Sequence, residues 1–269
     1  MSMQIELVTS RDNRHIKQAV KLRNSGRLRR ELGLFVLEGA RLCGDANASG
    51  VHIDSLFFTD DARAKYDAVE GLIAAADSVY CVSDAVFDKL AETAAPQGVM
   101  CICRMPEGGA DLSPTGRYIA CENLSDPSNL GALARTAEAL GSDGLILLGG
   151  GCDPYSPKAQ RAAMGSLLRL PIFRFDDAVG GANELIGIGL KLYAAVVDST
   201  AASVGEAGFG DGSVIVIGNE GNGMSERLIS VCQNQVYIPI NGRAESFNAA
   251  AAATILLWEQ LKERSADEQ

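Results

Sequence analysis

The 269-residue sequence predicts an α/β fold in two parts, the larger built on a mainly parallel sheet. Three observations predict it. Short apolar runs alternate with longer amphipathic segments along nearly the whole chain, the pattern of strands joined by crossover helices. The stretch PEGGADLSPTG, from Pro106 to Gly116, is rich in Pro, Gly and small polar residues and reads as a linker between two such regions. Hydrophobic residues make up 47% of the chain, enough for full cores without staples. The predicted parts are therefore residues 1–105, a linker at 106–116, and residues 117–269.

Before the linker, Ile16 to Leu28 reads as one basic helix, with apolar residues at helical spacing. Leu34 to Leu37 is a strand, followed by a helix from Glu38. Ser55–Phe58, Val79–Val82 and Val99–Cys103 are further strands, with helices at Ala62–Ala76 and Asp84–Ala91 between them. After the linker, strands are predicted at Tyr118–Cys121, Leu145–Leu148, Lys191–Val196, Val214–Ile217 and Val236–Ile238. Helices are predicted at Leu130–Leu140, Pro157–Met164, Ala178–Ile186 and Ser225–Val231, and a long one runs from Ser246 to about Arg264. Ligands of such sheets bind at the carboxyl ends of the strands, so the loops that follow the strands are where function is sought.

Composition narrows the classes of function. No stretch of 18 or more apolar residues occurs, which argues against a membrane span. Met1 to Arg30 is charged throughout, unlike a secretory leader. The seven cysteines form no CxxC pair and read as reduced thiols of a cytoplasmic protein. The only histidines are His15 and His52, so the larger part has no imidazole for a Ser-His-Asp or Cys-His centre, nor for a histidine zinc site, and no metal is expected. The net charge of −10 hides a local excess. Arg11, Arg14, Lys17, Lys21, Arg23, Arg27, Arg29 and Arg30 stand together with only Asp12 against them, a pattern that fits either a phosphate-binding surface or a solvated helix face.

Three loops of the second part are distinctive. ENLSDPSNLGALAR (Glu122–Arg135) turns at Asp126-Pro127 and enters a helix that Ser128 or Asn129 can cap. Arg135 lies beside the buried stripe of that helix, and its spacing also permits a surface pair with Glu138. IGNEGNG (Ile217–Gly223) follows an apolar strand, and its three glycines around one acid suit either a tight turn or close approach to a nucleotide-like ligand. It is neither GxGxxG nor a Walker loop, which argues against a dinucleotide-dependent oxidoreductase. IPINGRAESFN (Ile238–Asn248) leads into the last helix, with Ser246 a natural N-cap and Ala249 to Ala253 a smooth surface behind it.

Taken together and in this order, the loops resemble the three motifs of the SpoU/TrmH branch of the SPOUT superfamily, the RNA 2'-O-ribose methyltransferases. Asn129, Gly131 and Arg135 match the first motif. Gly218, Asn219, Glu220 and Gly223 match the second, and Ile238, Pro239, Ser246, Phe247 and Asn248 the third. Phe247 stands where leucine is commoner, and the alanine run replaces a Val/Ser-rich one. The basic run, GLFVLEGARL (Gly33–Leu42) and PQGVMCIC (Pro96–Cys103) resemble the RNA substrate-binding domain, similar to certain ribosomal proteins, that precedes the catalytic domain in many members.

The resemblance implies a C-terminal α/β fold tied in a trefoil knot, a homodimer joined through the knot and the final helix, and S-adenosylmethionine as methyl donor. The donor is expected against Gly218, Asn219, Glu220, Gly223, Ile238, Pro239 and Phe247. Arg135 is the expected catalytic residue, either a stabiliser of alkoxide character or, once phosphate contacts and neighbours perturb it, a base, since free arginine holds its proton too tightly for that role. Asn129, Ser246 and Asn248 are expected to orient Arg135, the ribose and a phosphate, with Glu220 anchoring the second motif. RNA is expected on Arg11, Arg14, Lys17, Arg23, Arg27, Arg29 and Arg30, with Lys158 and Arg161 extending that surface. The two-part layout favours 23S ribosomal RNA, with transfer RNA methylation or a non-catalytic assembly role as alternatives.

Overall fold

The computed structural model describes residues 5–106 and 111–262, which fall into two compact units. Met1–Glu107 with Tyr155–Leu168 form the first, and Gly108–Pro154 with Arg169–Gln269 the second. Residues 107–110 of the predicted linker, and the predicted extension of the last helix through 263 and 264, lie outside the described residues.

The first unit runs β1 (Ile5–Val8), α1 (Arg14–Asn24), α2 (Gly26–Leu32), β2 (Leu34–Glu38), α3 (Ala40–Ala48), β3 (Ile53–Phe58), α4 (Asp60–Lys65), α5 (Ala68–Ala75), β4 (Ser78–Val82), α6 (Asp84–Leu90) and β5 (Val99–Arg104). Its sheet has the order β1-β4-β3-β5-β2. β1, β4 and β3 are parallel, while β5 runs antiparallel to both β3 and β2. The strands alternate their side chains between two cores, as a pleat covered on both faces must. Phe35, Leu37, Leu56 and Phe58 face one core, and Val36 and Phe57 face the other with Ile16, Leu22 and Phe87.

Three sequence expectations change here. The basic helix is two helices, because Ser25 is extended (φ −128°, ψ 104°) and its side chain caps α2. The Ala62–Ala76 helix likewise divides into α4 and α5 at an extended Tyr66. β1 was not predicted; it is an edge strand with three of its four residues exposed, so it shows no apolar alternation.

The second unit opens with β6 (Tyr118–Glu122), α7 (Pro127–Ala139) and β7 (Gly144–Leu148). The chain then supplies α8 (Pro157–Ala163) and a 3-10 turn (Ser166–Leu168) to the first unit, where Tyr155 and Leu168 pack on the core. It returns as β8 (Ile172–Phe175), α9 (Ala178–Gly187), β9 (Lys191–Val196), β10 (Ala202–Ser203), β11 (Ser213–Ile217), α10 (Glu226–Val231), β12 (Asn234–Tyr237) and α11 (Ala249–Leu261). The seven strands have the order β10-β12-β9-β11-β6-β7-β8, and every pairing is parallel. β6, β7 and β11 are buried along their whole length, as a sheet covered by helices on both faces requires. The unpredicted β8 and β10 are short edge strands, neither with a buried residue. No helix among the described residues is long and apolar enough to cross a membrane.

Candidate active site

Because all strands of the second unit run in parallel, the three distinctive loops leave the sheet at one edge. β6 and β11 are neighbours, so the loops after Glu122 and after Ile217 lie side by side. Gly218 permits the second loop to close on itself. A β-carbon there would sit 2.2 Å from the carbonyl carbon of Gly223, so no other residue fits without moving backbone. The closure is a two-bond bridge in which Asn219 N–H donates to Gly223 O and Gly223 N–H to Asn219 O, both at 2.9 Å. The Asn219 side chain accepts from Gly221 N–H and Asn222 N–H at 2.9 and 3.1 Å, and donates to Asn123 O at 2.9 Å.

Glu220 projects from this turn into a ring of donors. Its Oε1 accepts from Asp126 N–H and Asn129 Nδ2, each at 3.0 Å. Its Oε2 accepts from Ser125 N–H at 3.0 Å and Ser125 Oγ at 2.8 Å. Partial burial pushes the Glu220 carboxyl upward, but the donors from Asn129, Ser125 and Asp126 outweigh it and bring the pKa down to about 2.

The third loop joins through Asn248. Its Oδ1 accepts from Ala250 N–H at 2.9 Å and Ala251 N–H at 3.3 Å, which caps α11, and its Nδ2 donates to Asn129 Oδ1 at 3.0 Å. Asn129 thus receives one loop and donates to another. The sequence places the caps elsewhere, and both are corrected. Asp126, not Ser128 or Asn129, caps α7 by accepting from Ser128 N–H, with Pro127 at the first helical position. Asn248, not Ser246, caps α11, because Ser246 and Phe247 still belong to the exposed loop. Asn129 is therefore bound to Asn248 and Glu220, and Asn248 to Asn129 and the start of α11.

Arg135 and Ser246 are not in this ring. Arg135 is exposed on α7 and makes no hydrogen bond or ion pair with a described residue, and Glu138 binds Arg169 instead at 2.8 Å. Arg135 flanks a surface of small residues formed where α7 and α11 pack together, Thr136 meeting Thr254 at 3.4 Å. Ala132, Ala139, Ala251 and Trp258 are exposed on those helices, Trp258 at 57%.

The residues fit a nucleoside ligand held by backbone groups. Residues 241–248 are exposed, and no hydrogen bond joins 239–247 to another described residue, so their amides and carbonyls are free to be used. Phe247 offers an exposed apolar ring beside them. The neighbouring thiols are not nucleophiles. Burial holds Cys121 far above the usual thiol range and Cys152 at about 11.

Several residues of the site carried no role in the sequence analysis. Ser125 gives Glu220 two donors, and Asn123 holds a left-handed φ of 51° while its Oδ1 accepts from Gly150 N–H at 2.8 Å. Glu122, buried, accepts from Ser225 N–H and Oγ, both at 2.6 Å, and so ties β6 to the cap of α10. Asx-Pro turn chemistry around Asp126 is the signal that marks this loop.

The basic run of the first unit divides by use. Arg29 is buried and its Nη1 donates to Leu22 O and Arg23 O at 2.6 and 2.9 Å, so it closes the end of α1 and is not available to a phosphate. Arg23 donates to Leu90 O at 2.7 Å and to Ala91 O, which spends it on the end of α6. Arg11 donates to Ala85 O at 2.7 Å, Lys17 pairs with Asp12 at 3.1 Å, and Arg27 with Glu31 at 2.7 Å. All three remain exposed, as do Arg14, Lys21 and Arg30. Arg161 pairs with Glu92 at 2.7 Å.

Comparison with known proteins gives a consistent picture. Residues 116–258 match the SpoU rRNA Methylase family, and residues 13–101 match the MRM3-like substrate binding domain. A Bacillus subtilis protein, 23S rRNA (guanosine(2553)-2'-O)-methyltransferase RlmP, is 30% identical over 93% of this chain and 97% of its own. A 23S rRNA (uridine(2479)-2'-O)-methyltransferase of Streptomyces viridochromogenes is 28% identical over 96% of this chain and 92% of its own. The structure of an AdoMet-bound rRNA methyltransferase from Sinorhizobium meliloti superposes with a TM-score of 0.86 at 28% identity, covering 96% of this chain and 98% of that one.

Proposed function

The chain belongs to the SpoU rRNA methylase family, and from that premise we infer that it transfers a methyl group from S-adenosylmethionine to a ribose 2'-hydroxyl of 23S ribosomal RNA. The observation that carries the reading is the Asn248–Asn129–Glu220 relay, which holds three chain-distant loops at one sheet edge. When bound, S-adenosylmethionine supplies an electrophilic methyl on a positively charged sulfur. Gly218, Gly223, Ile238 and Phe247 are assigned to hold it, and the backbone of the exposed residues 241–247 to its polar atoms.

Methyl transfer forms the ribose oxygen–methyl bond as the sulfur–methyl bond breaks, so it needs in-line alignment and stabilisation of oxyanion character while the hydroxyl proton passes to solvent water. Arg135 carries the positive charge for that task. Glu220 does not act as the base, because a carboxylate with a pKa of about 2 is a poor proton acceptor at neutral pH. It is a positioning residue with Asn129 and Asn248, and Ser246 is assigned to the ribose or its phosphate. The exposed Trp258 on α11, with the small residues where α7 and α11 pack, supports a homodimer whose interface includes both helices, so that the centre is completed across two copies. A trefoil crossing of the second and third loops belongs to the same reading.

Residues 117–269 are assigned as the methyltransferase domain, 1–105 as the RNA-binding domain, to whose core residues 155–168 contribute, and 106–116 as the link. Arg14, Lys21, Arg27 and Arg30 are the exposed cations assigned to phosphates, with Arg11 and Lys17 beside them. A cytoplasmic location belongs to the same reading, and a ribosomal RNA substrate supports it. The relatives named above modify a guanosine and a uridine respectively. The test is incubation with tritiated S-adenosylmethionine and ribosomal RNA from a strain lacking the gene, with mapping of positions that resist alkaline cleavage. One new 2'-O-methylated position is expected; absence of any ends the reading.

A further inference from the structure

The first unit contains a chamber of about 340 Å³, formed where α8 comes beside the start of α3 and the loop before β5. That volume lies at the lower end of the small-ligand range, about 300–1,000 Å³. Its walls combine an apolar floor, Leu42 and Met164, with polar groups of which several have no partner among the described residues. Arg41, exposed on the first turn of α3, makes no hydrogen bond or ion pair with a described residue, nor does the Asp45 carboxylate one turn on. Gln97 spends its Oε1 on Ala40 N–H at 2.9 Å, which leaves its amide N–H groups unused among the described residues.

The frame around these groups is rigid. Glu38 accepts from Glu92 N–H at 2.9 Å and from both polar groups of Thr93, which fixes the loop. Glu92 in turn holds the Arg161 guanidinium at 2.7 Å. Met164 stands in the left-handed region at φ 51° with its side chain 39% exposed. A left-handed residue other than glycine costs roughly 1–2 kcal/mol. Met164 caps the end of α8 in this conformation, and its side chain lines the chamber.

An apolar floor for a ring face, hydrogen-bonding groups of both signs for a ring edge, and a free guanidinium at the rim together match one nucleotide. A paired helix is too broad to enter, and proteins that read RNA sequence do so on unpaired nucleotides splayed out of the stack. Resting on the rRNA-methylation reading, we propose that this chamber takes one extruded nucleotide of the substrate RNA. Its base lies against Met164 and Leu42, Asp45 and Gln97 meet the base edge, and Arg41 holds a flanking phosphate. The methyl-transfer centre then modifies the ribose, while this chamber selects which RNA is held.

The test uses the full chain, ribosomal RNA from a strain lacking the gene, and two variants. Ala95→Trp fills the chamber from an exposed rim position, and Arg41→Ala removes the guanidinium. Each is expected to raise KM for RNA about tenfold or more, the size of one lost base or phosphate contact, with kcat and S-adenosylmethionine affinity within about twofold of wild type. Unchanged KM in both variants overturns the chamber while leaving the methylation reading intact. If wild type itself transfers no methyl, the methylation reading fails. Filter retention of the same RNA then decides the chamber: weaker retention of both variants supports it, and equal retention overturns it.

Discussion

Glu220→Gln tests the relay with little change of shape. Two donors converge on Oε1, Asp126 N–H and Asn129 Nδ2, and three on Oε2: Ser125 N–H, Ser125 Oγ and, at 3.4 Å, Asn219 Nδ2. Whichever way a glutamine amide is turned, its own N–H groups face two N–H donors, those of Asp126 and Asn129 or those of Ser125 and Asn219, since the Ser125 hydroxyl can turn to accept. Hydrogen bonds to a charged group contribute about 1.5–3 kcal/mol, and at this exposed position about 1 kcal/mol each is the appropriate discount. Two lost bonds therefore cost about 2 kcal/mol, which lowers the melting temperature by roughly 4–8 °C for a unit of this size. If the loops must be re-ordered when the donor binds, the same 2 kcal/mol weakens S-adenosylmethionine affinity by up to about 30-fold. Differential scanning calorimetry of the free protein and calorimetric titration with S-adenosylmethionine measure the two effects. A variant with wild-type melting and wild-type donor affinity refutes the idea that this carboxylate joins the loops.

Four further outcomes are expected. Arg135→Ala abolishes tritium transfer to RNA while donor affinity stays within about twofold, because only the developing oxyanion needs the guanidinium; comparable turnover removes Arg135 from the centre. Trp258→Glu shifts the mass in light scattering from dimer to monomer and abolishes transfer, whereas an unchanged mass places the interface elsewhere. Replacing Lys21, Arg27 and Arg30 together by alanine reduces the slope of log affinity for RNA against log salt by about 2–3, at roughly 0.7–0.9 per phosphate contact, while Arg29→Ala lowers the melting temperature and leaves that slope alone. The stability gap between wild type and Glu220→Gln is pH-dependent. The folded pKa of about 2 lies below the ordinary 4.5, so the contribution is complete above about pH 5 and is lost as pH falls toward 2; thermal melts across that range read it directly.

The sheet of the second unit and its loops were legible because fully buried parallel strands are apolar runs and the loops between them carry Gly, Pro and Asn at positions with a physical demand. Gly218 is one such position, since no β-carbon fits there. The edge strands were hidden for the opposite reason. Ile5–Val8 and Ile172–Phe175 are mostly exposed or half-exposed and show no clean period. Helix boundaries at Ser25 and Tyr66 depend on one extended residue each, which periodicity averages away. The caps were misplaced because Ser128, Asn129 and Ser246 have the right chemistry, but side-chain partners one to three residues off decide which residue is used. The basic run was only half informative. A count of charges does not distinguish Arg30, which faces solvent, from Arg29, whose guanidinium closes a helix end. The excursion of residues 155–168 into the first unit, which brings Arg161 and Met164 beside Arg41, has no local signal at all, since it depends on the packing of Tyr155 and Leu168 far from their neighbours in sequence.

A crystal structure of the full chain with S-adenosylmethionine is the most direct measurement of whether the three loops form one centre. The transferable methyl is predicted to lie among residues 218–223 and 238–248, with the Arg135 guanidinium of one protomer of a dimer close enough to leave only a ribose hydroxyl, at roughly 3–3.5 Å from the methyl, between them. A donor bound elsewhere, or an Arg135 remote from the methyl in both protomers, contradicts it.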